Sequence, residues 1–236
     1  MTSQKAISSR LAILFLLAAA CFPNVALAGP PLICHTIEIG DAKSLPWVSH
    51  GWNLNGGENY DTQNLVRDAL EILVPNTPVI VRMETLRRAS LYARKDPLAA
   101  KELLARLQAG ASSAEASGHP DALAWFDVGY LAEAYKQWIG QPWMRMNKDE
   151  QNPAAGVDGY ALVEKALALR GPDPQMEFAA ALIALSGHPS EHLEHAQRAI
   201  ASAKSDPLLA RNLATHFTGP QTQIMSEVLA KNVVTN

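Results

Sequence analysis

Ala93-Arg94-Lys95-Asp96-Pro97-Leu98-Ala99-Ala100-Lys101-Glu102-Leu103 and Ala203-Lys204-Ser205-Asp206-Pro207-Leu208-Leu209-Ala210-Arg211-Asn212-Leu213 share one pattern. The alanines, the basic residues, the Asp-Pro-Leu step and the final leucine coincide. Proline suits the first turn of a helix, where its missing N–H has no intrahelical partner. An aspartate before it accepts a bond from the next free amides. The same punctuation recurs as His119-Pro120, Asp173-Pro174, His188-Pro189 and Gly219-Pro220, each followed by an alanine- or leucine-rich run. The spacing predicts short helices joined by tight connections, a stack of helix pairs.

Working outward, Asp61 caps a predicted helix that ends near Val74, before Pro75, with Leu65, Ala69, Ile72 and Leu73 on one face. Thr77-Pro78 starts the next, whose inner face is read as Val79, Met83, Leu86, Ser90 and Ala93. Glu84, Arg88 and Lys95 are placed opposite it, and Arg82, Arg87, Arg88, Arg94 and Lys95 are read as solvated charge around the helix. Lys165-Ala166-Leu167-Ala168 pairs with Arg198-Ala199-Ile200-Ala201 at an offset of 33 residues, a helix–turn–helix repeat length.

On these residues the chain resembles the tetratricopeptide repeat family. Trp125, Val128 and Gly129 are spaced like that repeat's first-helix tryptophan, aliphatic and glycine. Tyr160 to Leu169, with Ala166-Leu167 and then Pro172-Asp173-Pro174, resembles its second helix and exit turn. The resemblance covers residues 77–218, with an insertion at 138–158 where a standard repeat has a short turn. It implies an all-α array of antiparallel helix pairs, an α-solenoid over residues 61–236, and a groove for a peptide or protein partner.

The 29–60 segment has no helical pattern. Leu32, Cys34, Thr36 and Glu38 alternate with Ile33, His35, Ile37 and Ile39, which predicts one short strand in an otherwise irregular arm. The arm then carries Trp47, His50, Trp52, Asn53, Asn55, Glu58 and Tyr60. Aromatics beside amides and an acid suit a saccharide or peptide groove, and equally suit tryptophans plugged into a helical core. The insertion adds Trp138, Trp143, Met144 and Met146, adaptable contact residues. Candidate ligand-binding residues are therefore Trp47, His50, Trp52, Asn53, Asn55 and Trp143.

Cys34 is the cysteine left once a leader is removed, so it is the candidate reactive thiol and the candidate for an intermolecular disulfide. Its packing as a small hydrophobe is the competing reading. His188, His192 and His195 lie with Glu191 and Glu194 at a helix start. They are read as a solvated first turn rather than a metal site, because zinc needs three or four convergent ligands. No metal or cofactor is expected.

Motifs for a serine hydrolase elbow, a zinc protease helix, a phosphate loop or a Cys-x-x-Cys redox site do not occur. The net charge of −3 gives no general electrostatic reason to bind nucleic acid. The expectation is an exported binding or scaffold protein. The alternative is a metal-dependent or other hydrolase using the histidine cluster or the N-terminal arm. A third is an oligomerising envelope component.

The leader sets the expected location. Lys5 and Arg10 precede an unbroken apolar run from Leu11 to Phe22, then Pro23-Asn24 and Ala26-Leu27-Ala28. That is the pattern of a secretory signal peptide over residues 1–28. The run is shorter than the roughly 20 residues of a membrane-spanning helix, and none is expected in the mature chain. Ala18-Ala19-Ala20-Cys21 offers a weaker lipobox, with Leu17 one position too early, which would make an acylated Cys21 the anchor. N-terminal sequencing of exported protein is expected to begin at Gly29, and an acylated Cys21 in first place would reject this.

Overall fold

A computed structural model describes residues 30–48, 59–138, 152–185 and 187–217. Among these residues eight α-helices follow one another: α1 (Leu65–Ile72), α2 (Val79–Ala93), α3 (Pro97–Ala116), α4 (Ala122–Lys136), α5 (Gly159–Arg170), α6 (Pro174–Ala184), α7 (Pro189–Ala201) and α8 (Pro207–His216). Short 3-10 turns at Thr62–Asn64 and Ala203–Ser205 precede α1 and α8. Among the described residues the architecture is all-α, and no helix is long and apolar enough to cross a membrane. Residues 1–29, with the leader and Cys21, lie outside the described residues, as does the Gly219-Pro220 step.

Capping aspartates set most of the boundaries. Asp96 accepts from the Ala99 amide at 3.0 Å. Asp173 accepts from Gln175 and Met176, and Asp206 from Leu208 and Leu209. Asp158 caps α5 through Ala161. His188 makes no side-chain cap, since neither its reach nor its chemistry matches a short carboxylate. Past His119-Pro120 the helix waits for Asp121, whose carboxylate takes the Leu123 amide at 2.8 Å. The two matching segments behave alike. In both, the second oxygen of the capping aspartate accepts from a neighbouring helix start, Thr62 for Asp96 and Gln175 for Asp206. Leu103 and Leu213 are both fully buried.

The centre of the molecule is α2. Fourteen of its fifteen residues are buried, because α1, α3, α4 and α6 all pack against it. The expected solvent face through Glu84 therefore does not exist: Glu84 and Arg87 are fully buried and Arg82 nearly so. Apolar residues recur all around this helix, which marks a helix enclosed on every side.

Contacts between α4 and α5 run in opposite chain order. Lys165 stands 3.9 Å over the Trp125 ring, while Glu133 meets the start of α5 through the Tyr160 amide. Trp125 is only partly buried. Gly129 is the close point. A Cβ there would lie 2.6 Å from the Gly159 carbonyl oxygen, and one at Gly159 would lie 2.5 Å from that of Gly129. A pair of glycines lets the two backbones touch.

The arm forms no strand among its described residues. Pro30–Cys34 is a turn, with the Cys34 amide bonded to Pro30 O at 3.0 Å. Leu32, Ile33, Ile37 and Ile39 are all buried, so two consecutive residues point inward and the alternation fails. The Ile37 amide donates to Glu84 and the Glu38 amide to Asn212, 2.9 and 2.8 Å away. Side chains supply the partners that a neighbouring strand would have supplied. Of the insertion, Trp138 packs on Tyr135 with ring centroids 4.4 Å apart. Asn152 returns the chain by donating to Tyr135 O at 2.7 Å.

Two glycine substitutions should act in opposite directions. Gly129→Ala must push the α4 and α5 backbones apart and is expected to cost about 1–3 kcal/mol. Gly110→Ala adds a methyl where nothing lies within 4 Å and should stabilise α3 by about 1 kcal/mol. Thermal melts of both against the parent check this; equal midpoints for all three would reject the close crossing.

Candidate functional site

The strongest polar structure is buried under the arm. Arg87 donates from Nε to Glu84 Oε2 at 2.7 Å and from Nη2 to Oε1 at 3.0 Å. Its Nη1 reaches Ile33 O at 3.0 Å. Arg88 takes the other side of the same carboxylate, Nε to Oε1 at 2.7 Å, and also holds Leu45 O at 2.5 Å. Tyr92 donates to Pro46 O. The charges on α2 thus tie down the arm from Ile33 to Pro46. A second buried pair, Arg82 with Asp127, joins α2 to α4 and carries Val74 O and Thr77 O as well. Burial holds the Asp127 carboxyl above its usual range even beside Arg82.

Trp47 packs here, edge-on to Tyr92 at 5.8 Å with the Arg87 guanidinium 4.8 Å from its ring centroid. Its Nε1 is buried with no hydrogen-bond partner. His50, Trp52, Asn53, Asn55 and Trp143 lie outside the described residues, so only Trp47 of that candidate set has a described place.

Cys34 is buried, and burial pushes its thiol up to about 11 against the opposing pull of Arg87. A protonated, enclosed thiol is neither a ready nucleophile nor placed to pair between molecules. Neighbouring His35 meets His216 instead, Nδ1 to Nε2 at 3.0 Å. Burial drives the His216 imidazole down to about 3, so it stays neutral.

The histidine cluster is not a solvated helix start. His192 and His195 are 3% and 2% exposed, since α7 turns them toward α6. His192 Nδ1 bonds Ala181 O at 2.8 Å. His195 Nδ1 lies 2.6 Å from Glu177 Oε2, and its Nε2 lies 2.9 Å from the Tyr160 hydroxyl. His188 stays exposed and stacks on Tyr160 at 4.5 Å. Among the described residues no three His, Cys, Asp or Glu side chains are grouped to hold a metal. Sequence reading missed Glu177 and Tyr160 because they sit on other helices, 18 and 35 residues from His195.

Among the described residues, concave places open to solvent on two sides. A groove of about 770 Å3 runs between α1 and α3. Val66, Leu70, Leu98 and Ala99 supply its apolar surface, and Arg67, Glu71, Glu102 and Arg106 its charge. A smaller pocket of about 490 Å3 lies where α4, α5 and the α6–α7 turn meet, lined by Glu133, Lys136, Asp158, Tyr160, Ile183 and His188 among others. Comparison with family models, curated proteins and solved structures found no match to the chain.

The buried carboxylate is the sensitive point. Glu84→Gln leaves two arginines without their counter-charge and is expected to cost about 3–5 kcal/mol, read as a lower urea midpoint. Glu102→Gln, which breaks the exposed 3.7 Å pair with Arg106, should leave the midpoint unchanged, because exposed pairs contribute little.

Proposed function

We propose that this is an exported binding or scaffold protein that holds a peptide or protein partner in the groove between α1 and α3. The finer architecture belongs to the same proposal: an array of antiparallel helix pairs, similar to tetratricopeptide repeats, in which α1 and α3 are alternate helices along one face. The observation that carries the reading is Leu98. It is 81% exposed at the start of α3, on the wall of an open groove whose rim carries both signs of charge. A large apolar side chain held in solvent at a groove is a suitable anchor point for a partner, and the charged rim sets its orientation. Export rests on the leader pattern, which places the partner outside the cytoplasm.

The experiment immobilises the chain from Gly29 and exposes it to an extract of exported proteins, with mass spectrometry of what is retained. A specific partner is expected, and Leu98→Glu should lose it while melting with the parent. Retention unchanged in Leu98→Glu, or no retained protein at all, would reject the groove as the binding surface.

A further inference from the structure

The arm lies on the helices as a peptide lies in a groove. From Ile33 to Pro46 its backbone is held by side chains of α2 and α8. Among the described residues it makes no backbone–backbone hydrogen bond to either helix. Asn212 of α8 clamps one residue twice: its Oδ1 takes the Glu38 amide and its Nδ2 donates to the Glu38 carbonyl, both at 2.8 Å. Glu84 of α2 takes the amide of Ile37, one residue earlier, while Arg87 and Arg88 donate to the carbonyls of Ile33 and Leu45. The side chains alternate along the same stretch. Ile37 and Ile39 are buried, and exposed Glu38 meets the Arg211 guanidinium at 2.7 Å. Extended peptides are recognised in this way, with main-chain bonds giving affinity and alternate side chains giving selectivity.

The floor under the arm has the chemistry of a surface. Glu84, Arg87 and Arg88 all bond to the arm from α2. Ionised side chains regain hydration when their cover leaves, which an apolar floor does not. The fit of the cover is also incomplete. Trp47 Nε1 is buried with no hydrogen-bond partner. The Tyr130 hydroxyl of α4 is buried without one as well, in the field of Glu84 and Arg87. Each unmet buried donor carries a desolvation cost that an occupant with an acceptor there would remove.

We propose that this face of α2 and α8 is a peptide-binding groove, that the arm is its resident intramolecular ligand, and that a partner protein displaces the arm with an extended segment of its own. The segment reads aliphatic–acidic–aliphatic in the register of Ile37, Glu38 and Ile39. Its central residue carries an amide N–H for Asn212 Oδ1, which excludes proline there. An acceptor that reaches the Tyr130 hydroxyl gives the segment its advantage over the arm. The tethered arm acts at high effective concentration, so the groove stays closed to poorly fitting chains. None of these residues lines the α1–α3 groove, so this is a second binding surface and does not rest on the first.

The test uses the whole chain and a labelled synthetic peptide with the sequence of residues 30–48. In the parent, the Ile37 and Glu38 amides are expected to exchange with solvent about a hundredfold faster than those of α2, because the arm opens without the helices. The parent should bind the peptide weakly, since its own arm competes. Ile37→Asp puts a charge against Glu84 and loosens the arm, and should bind the peptide about a hundredfold more tightly than the parent. A peptide carrying Glu38→Pro should bind neither chain. If Ile37→Asp does not fold, amide exchange in the parent decides. Arm amides that open only together with α2, no tighter binding by folded Ile37→Asp, or equal binding of the Glu38→Pro peptide would each overturn the proposal. So would a parent dimer whose arm protection rises with concentration, which would give the groove to the arm of a second copy.

Discussion

Everything on the arm side of the molecule depends on one buried carboxylate. Glu84 receives Arg87, Arg88 and the Ile37 amide together. Removing such charges from water is costly, and only close opposite charge and complete hydrogen bonding offset it. Three partners converge on two oxygens, and the remaining arginine donors turn to Ile33 O and Leu45 O. The arm thereby has one docked path, and its hydrophobic residues are pinned over α2.

A second constraint shapes the other half. The Gly129–Gly159 contact brings α4 against the first turn of α5, where Glu133 accepts the Tyr160 amide. Tyr160 is thus placed by backbone approach together with the packing of its ring on the core and on His188. Its hydroxyl falls on His195 because α6 and α7 run antiparallel beside it, with Glu177 opposite His195 and Ala181 opposite His192. The close helix crossing and the polar relay belong to one piece of architecture.

The two concave surfaces are chemically different. The α1–α3 groove is open, with an exposed leucine and charges of both signs on flexible side chains, features that suit recognition of a large partner. The pocket beside Tyr160 is smaller, with Glu133, Lys136, Asp158 and His188 on its wall.

The sequence by itself determined the helices and where they start. Asp-Pro steps and capping aspartates act through bonds two or three residues away, so their effect is local and legible. It also determined that Gly129 is a point of close approach. It did not determine which charges are buried. Arg82, Glu84, Arg87, His192 and His195 read as solvent-facing because a helix charge normally is, and only the enclosure of α2 and the facing of α7 onto α6 reverse that. The all-round apolar residues of Val79–Ala93 were the available sign of it. The arm's alternation failed for a related reason: its amides find Glu84 and Asn212, residues far along the chain, so its path was decided by tertiary partners. Partners 18, 35, 47 and 174 residues apart leave no local pattern, and they are what made the buried network and the tyrosine–histidine–glutamate relay.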